Sequence, residues 1–413
     1  YSFNGCSCSI NNITIMKDTY IKGVAAAATG GSVGAKLMKT NQQNSFRTGD
    51  DGDLKEGRLN SFFTLNSNNV FGTNERFTDE IGTQAYSNRV AIDHSTDNGT
   101  EILGFYADGT GTSRNWEDSI DWALSVSVGT FTSGWRLPNK REMYSVIDDG
   151  AAGHALNYSA FLIMGNALAT GYWSSTTTNN NTNYGVMISS SRYSAERVIK
   201  TLAVRAYAVR NFTYSDLGVT GAINPIVGAD IMKTGQTISF VANDDGALQE
   251  GRDVDFYTLA SNNPFGNTDR FTDELGGSTY ANNIVIDWST YGGTTVIGWS
   301  RLVVPATIWA SHITNATAYS IGSFTSGWRL PNNLEIMSIA KYDNVSTALN
   351  YTPFNVTATG NFSTSTSYRV SALSSAYNYM FGFSTGQLQA NSKSNNTFSI
   401  RCRTFTVTGT TLT

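Results

Sequence analysis

The sequence predicts an α+β fold in which one unit, residues 33–212, is written again as residues 227–407. Each copy carries two helices and many short, mainly antiparallel strands. The first observation is a register. Met38-Lys39-Thr40 recurs as Met232-Lys233-Thr234, Asp50-Asp51-Gly52 as Asp244-Asp245-Gly246, and Arg76-Phe77-Thr78-Asp79-Glu80 as Arg270-Phe271-Thr272-Asp273-Glu274. Further on, the unbroken run from Phe131 to Asn139 returns as Phe324 to Asn332. The second observation is helical spacing at matching places, and the third is alternating apolar runs broken by Gly, Asn and Asp. Units this long exceed those of a solenoid, so each copy is expected to close its own core.

Taken in order, residues 1–32 precede the repeat and end in a small-residue stretch, Val24 to Gly31, which reads as an attachment arm or spacer. Runs such as Val90-Ala91-Ile92 and Met380-Phe381-Gly382-Phe383 read as strands. Trp116, Ile120, Ala123 and Leu124 share one helical face, and Trp309, Ile313 and Ala316 repeat it. A second helix opens at Asn139, whose cap is closed by Glu142. Met143, Val146 and Ile147 face inward and Gly150 ends it, while Asn332 and Glu335 repeat the capping box. Residues 213–226 form a linker and 408–413 a short tail.

Composition narrows the function. The chain has 413 residues, with 28 Lys and Arg against 32 Asp and Glu, and no basic run. No nucleic-acid partner is expected, because phosphate binding needs clustered cations. No apolar stretch approaches the ~20 residues of a membrane helix, so no membrane insertion is expected. Opening on Tyr1 rather than Met is expected of a processed or trimmed chain. Abundant Ser, Thr, Asn and Gly with 20 Tyr suit an extracellular or virion protein. Cys6, Cys8 and Cys402 give neither copy an internal pair, and Cys402, aligned with Val209, reads as a small buried hydrophobe.

The duplication also filters candidate chemistry. His94, His154 and His312 align with Trp288, Thr347 and Ser119, so no histidine-based triad or metal site is common to both copies. The shared carboxylates are Asp50, Asp51, Glu56, Asp79, Glu80, Asp93 and Glu142, with Asp244, Asp245, Glu250, Asp273, Glu274, Asp287 and Glu335. Two of them could in principle flank a sugar for hydrolysis. Their plainer reading is structural: caps, turns, and partners for backbone amides or the shared arginines. The Asp-Asp-Gly turn with Glu56 has oxygen ligands for calcium, but Asp53 becomes Ala247 in the second copy. The expectation is therefore no catalytic residue, no metal and no cofactor.

The first copy carries Trp135-Arg136-Leu137-Pro138, Glu142, Tyr172-Trp173-Ser174-Ser175-Thr176, and Val204-Arg205 with Val209-Arg210. The second carries Lys233-Thr234-Gly235-Gln236, Gly298-Trp299, Trp328-Arg329-Leu330-Pro331, Glu335 and Ile400-Arg401-Cys402-Arg403, with Asn361-Phe362-Ser363-Thr364 where Tyr-Trp-Ser-Ser is expected. This order resembles the C-type-lectin-like domain of collagen-like bacterial adhesin C-termini and of phage and bacterial variable receptor-binding proteins. The resemblance implies two tandem lectin-like domains, a role in recognition, and a binding surface in the stretch that such proteins diversify.

That stretch, from Trp173 to Val204 and from Phe362 to Ile400, is where the two copies stop agreeing. It is rich in Tyr, Asn, Ser and Arg, the residues of adaptable binding surfaces. A solvated loop would have a similar composition. The expected ligand-facing residues are Asn183, Tyr184, Arg192, Tyr193 and Arg197 in the first copy. In the second they are Tyr368, Arg369, Tyr377, Tyr379, Gln387 and Gln389. The function expected is a non-enzymatic receptor-binding or adhesion protein of a virion or bacterial surface, with two heads that bind a cell-surface protein or glycan. Alternatives are a fibre or capsid decoration subunit, including a homo-trimer, and a glycan hydrolase.

Overall fold

The computed structural model describes residues 37–150, 156, 160–161, 171–178, 183–189, 194–220, 231–252, 254–342, 349, 352–354, 356, 360–368 and 376–413. The arm 1–32 with Cys6 and Cys8, His154, and linker residues 221–226 lie outside the described residues.

In the first copy, Asp50 caps a short helix, α1 (Asp51–Leu54), by accepting the Asp53 amide at 3.0 Å. Gly52 is required there because a Cβ would meet the Asn44 carbonyl oxygen at 2.1 Å. Strands β1 (Phe77–Thr78), β2 (Val90–Asp93), β3 (Glu101–Tyr106) and β7 (Ala208–Thr213) make an antiparallel sheet in that order. Helices α2 (Trp116–Leu124) and α3 (Lys140–Ser145) precede a second ladder, β4 (Tyr172–Thr177), β5 (Tyr184–Ser189) and β6 (Ser194–Ile199).

The second copy carries the equivalents of these elements in the same order, with four further short strands among its described residues. Its elements are α4 (Asp245–Leu248), β8 (Phe271–Thr272), β9 (Ile284–Asp287), β10 (Thr295–Ser300), β11 (Val304–Thr307), α5 (Trp309–Thr317), β12 (Trp328–Arg329) and α6 (Asn333–Ser338). Then come β13 (Asn361–Ser367), β14 (Tyr377–Gly382), β15 (Gln387–Ser392), β16 (Thr397–Ser399), β17 (Cys402–Thr408) and β18 (Thr411–Leu412). The result is a mixed α+β fold with mostly antiparallel sheets.

The two Arg-Phe-Thr-Asp motifs are explained by a buried ion pair. Arg76 and Asp93 are both 0 % exposed and joined by two hydrogen bonds, at 2.9 and 2.8 Å, with the guanidinium over Phe62 and Phe77. Arg270 and Asp287 repeat the arrangement between Phe256 and Phe271. Burial alone would raise the Asp93 carboxyl, but the Arg76 charge and the Ser95 hydrogen bonds outweigh it and hold it low.

This arginine also corrects the length expected of the second helix. Both capping boxes form, yet α3 ends at Ser145 rather than near Gly150, because Arg76 donates to the Ser145 carbonyl at 2.9 Å. Arg270 does the same to Ser338 in α6. A buried donor satisfying the last carbonyls takes the place of another helical turn.

The expectation that each copy closes its own core is also corrected. Residues 33–413 form one compact unit, and one apolar cluster draws on Phe105, Ile147, Phe161 and Ile188 together with Trp299, Ile336, Phe381 and Leu388. Strand β6 pairs with β15 at Ala195 and Leu388, fusing the ladders into an eight-stranded sheet, β11-β16-β13-β14-β15-β6-β5-β4. Short strands alone cannot cover these faces, so the copies cover each other.

Candidate functional site

The seam between β6 and β15 carries a polar groove of about 340 Å³, lined by Ser194, Glu196, Arg197, Tyr368, Gln387, Gln389 and Ala390. Residues from both copies build it. Arg197 lies over the Tyr184 ring at 4.0 Å, and its Nε is buried with no acceptor among the described residues. Ser194 donates to Glu196 at 2.7 Å, and Gln389 donates to Gln387 at 2.6 Å. Tyr368 stands edge-on to Tyr377, with ring centroids 6.4 Å apart. The groove therefore offers a guanidinium, a carboxylate, two carboxamides and aromatic faces within one concave surface.

Of the residues expected to face a ligand, Arg197, Tyr368, Gln387 and Gln389 line the groove. Tyr184 supports Arg197, and Tyr377 flanks Tyr368. Asn183 is exposed at the start of β5 but is not among the lining residues. Tyr379 is a correction: it is 1 % exposed and packs in the core with Phe381, edge-on to Tyr368 with ring centroids 5.3 Å apart. Arg192, Tyr193 and Arg369 lie outside the described residues, as do Asn179, Asn180 and Asn181. Sequence reasoning missed Ser194, Glu196 and Ala390. They lie in the same divergent stretches, each next to a residue it picked, and pairing of β6 with β15 is what brings them together.

The repeated carboxylates are occupied elsewhere. Arg136 and Glu142 form a two-bond pair, both at 2.7 Å, as do Arg329 and Glu335 at 2.5 and 2.6 Å. Asp79 accepts the amides of Ile81 and Thr83, and Asp273 those of Leu275 and Gly277.

Asp51 and Asp245 do something the sequence did not disclose: each clasps the opposite copy. Asp51 Oδ2 accepts from Thr40 at 2.6 Å and from Thr366 in β13 at 2.7 Å. Asp245 Oδ2 accepts from Thr234 at 2.7 Å and from Thr176 in β4 at 2.6 Å. Burial raises both carboxyls to about 6. Phe46 packs on Trp309, Ile313 and Leu330 of the other copy, and Lys393 lies over Phe46 and Trp309. Lys200 holds Phe240 and Trp116 in the reciprocal clasp. Glu56 reaches Arg329 at 3.8 Å, and Glu250 reaches Arg136 at 3.6 Å.

The clasps also correct the motif alignment. Lys140 N donates to Thr176 Oγ1 and Asn333 N to Thr366 Oγ1, while the Trp116 and Trp309 indoles donate to the carbonyls of Ser174 and Thr364. Thr364 therefore occupies the place of Ser174, and Ser363 that of Trp173, one residue away from the placement expected from the sequence. Cys402 is buried in β17, as expected, beside Arg329 at 3.1 Å.

Residues 92–210 match the family model of the Lcl C-terminal domain. That domain belongs to the lectin-like adhesin and receptor-binding family that the motifs resemble. No curated protein matches the chain. Among the described residues, no helix is long and apolar enough to cross a membrane.

Proposed function

We propose that the chain is a non-enzymatic recognition protein of a virion or bacterial surface, holding a cell-surface glycan or protein in one groove shared by two tandem lectin-like units. The observation that carries this reading is the convergence of Arg197 from the first copy with Tyr368, Gln387 and Gln389 from the second. Convergent polar groups beside aromatic faces suit a ligand rich in hydroxyl or amide groups. The unpartnered Arg197 Nε adds a donor that a ligand oxygen can satisfy. The match of residues 92–210 supports an adhesin-type role and an exposed location. Engagement of the repeated carboxylates by arginines, amides and hydroxyls favours binding over turnover.

This reading replaces one site on each of two heads by a single composite site, so the two copies add no avidity within one chain. The test is attachment of the labelled chain to a panel of bacterial cells and immobilised glycans. Arg197→Gln in one copy and Gln389→Ala in the other should each weaken attachment about tenfold, or ~1.4 kcal/mol, with the melting temperature unchanged. Attachment that neither substitution alters would contradict the proposal.

A further inference from the structure

Within an otherwise repeated frame, Lys140-Arg141 of α3 correspond to Asn333-Leu334 of α6. Arg141 is buried and donates across the junction to the carbonyls of Met337, Ser338 and Ala340, at 3.1, 2.8 and 2.8 Å, and to that of Lys233. Its counterpart Leu334 supplies no donor. Arg141 and Leu334 line the same small cavity, about 50 Å³, together with the equivalent pairs Met38 and Met232, and Ser145 and Ser338. Equivalent residues around one cavity mark a local two-fold axis: Arg58 and Arg252 obey it, whereas positions 141 and 334 together supply one guanidinium where symmetry would put two or none.

The neighbouring position is asymmetric in the same way. Lys140 Nζ donates to the Tyr342 hydroxyl at 2.7 Å and to the Gly386 carbonyl, and lies 4.2 Å from the Tyr342 ring centroid. Across the axis its counterpart Asn333 meets Asp149, the counterpart of Tyr342, at 3.4 Å.

We infer that these positions are a pairing code, by which the first copy fits the second and neither surface fits another copy of itself. Two first copies would place two Arg141 guanidiniums in that cavity beside the pair at the Arg58 and Arg252 positions, like charges with little solvent. Two second copies would bring no guanidinium to these positions and leave the buried Ala340 carbonyl without its donor. The reciprocal clasps and the shared apolar cluster then hold the copies together without help from the connector. The chain behaves as a fused heterodimer, and the partner each half recognises is the other half.

The test uses the full chain with a protease site placed between residues 221 and 230 and cut after folding. The cut wild type should remain a one-to-one particle on dilution to nanomolar concentration. Leu334→Arg should weaken that association at least about tenfold by adding a second guanidinium. The double variant Arg141→Leu with Leu334→Arg, which restores one, should recover most of the loss. The inference fails if the cut wild type separates at micromolar concentration, if Leu334→Arg pairs as tightly as wild type, or if the double variant pairs no better than Leu334→Arg. An unchanged circular dichroism spectrum of each variant before the cut separates loss of pairing from loss of folding.

Discussion

The clasps and the groove lie at the same junction between copies, yet they use the repeat in opposite ways. In the clasps every partner recurs: Thr40, Asp51 and Phe46 in one, Thr234, Asp245 and Phe240 in the other. In the groove the positions recur but the side chains that line it do not: Ser194, Glu196 and Arg197 on β6 have Gln387, Gln389 and Ala390 as their counterparts on β15. Duplication preserves the contacts that both halves need, because losing either clasp exposes apolar surface and strand edges. It leaves free the positions whose job is done once per chain.

The largest effect expected is at the buried pairs that support both halves. Arg76→Met leaves Asp93 charged and unpaired in the core, and should cost about 3 to 5 kcal/mol in denaturant unfolding. Arg270→Met should cost a similar amount. Equal losses would show that the halves fail together, whereas an effect confined to half of the unfolding signal would break the comparison.

A smaller loss is expected at the clasp hydroxyls. Thr366→Val and Thr176→Val each remove one hydrogen bond to a buried carboxylate, and each should cost about 1 to 3 kcal/mol. The loss should be shared by both copies in hydrogen exchange, although each threonine belongs to one.

Acid should strengthen the clasps. Asp51 and Asp245 have folded values near 6, raised by burial above the 3.8 of the unfolded chain. Their contribution is complete below the unfolded value and is lost as pH rises through about 6. His94, pushed by burial down to about 4, acts in the opposite sense, because the unfolded chain takes up that proton first. The clean comparison is therefore wild type against Asp51→Asn with Asp245→Asn. Between pH 7 and pH 4.5, the double variant should gain less stability, or lose more, than wild type; parallel curves would refute the assignment.

The smallest stability effect is expected in the groove. Gln387→Ala and Arg197→Gln should change stability by no more than about 0.5 kcal/mol while weakening attachment. A large loss of stability would mean these residues hold the seam rather than a ligand.

Much of the scaffold was legible in the sequence. Trp116 and Trp309 announce helices by spacing, Asn139 with Glu142 announces a capping box, and Val90 to Ile92 announces a strand, because each depends on neighbours in sequence. Four groove residues, Arg197, Tyr368, Gln387 and Gln389, were also legible, since divergence within a repeated frame marks them. The pairing of the copies was not. Asp51 and Asp245 read as turn residues because their decisive partners, Thr366 and Thr176, lie in the other copy. Tyr379 read as a contact residue because composition cannot tell that β14 is covered on both faces at Asn378 and Tyr379. Arg141 was not singled out in the sequence, because its mismatch with Leu334 gains meaning only from a local axis between the copies.

Calorimetric unfolding of the intact chain tests the central claim most directly. A shared core, a shared sheet and reciprocal clasps predict one transition, with calorimetric and van't Hoff enthalpies equal for the whole chain. Two resolved transitions, or a van't Hoff enthalpy near twofold below the calorimetric one, would mean that the copies unfold independently.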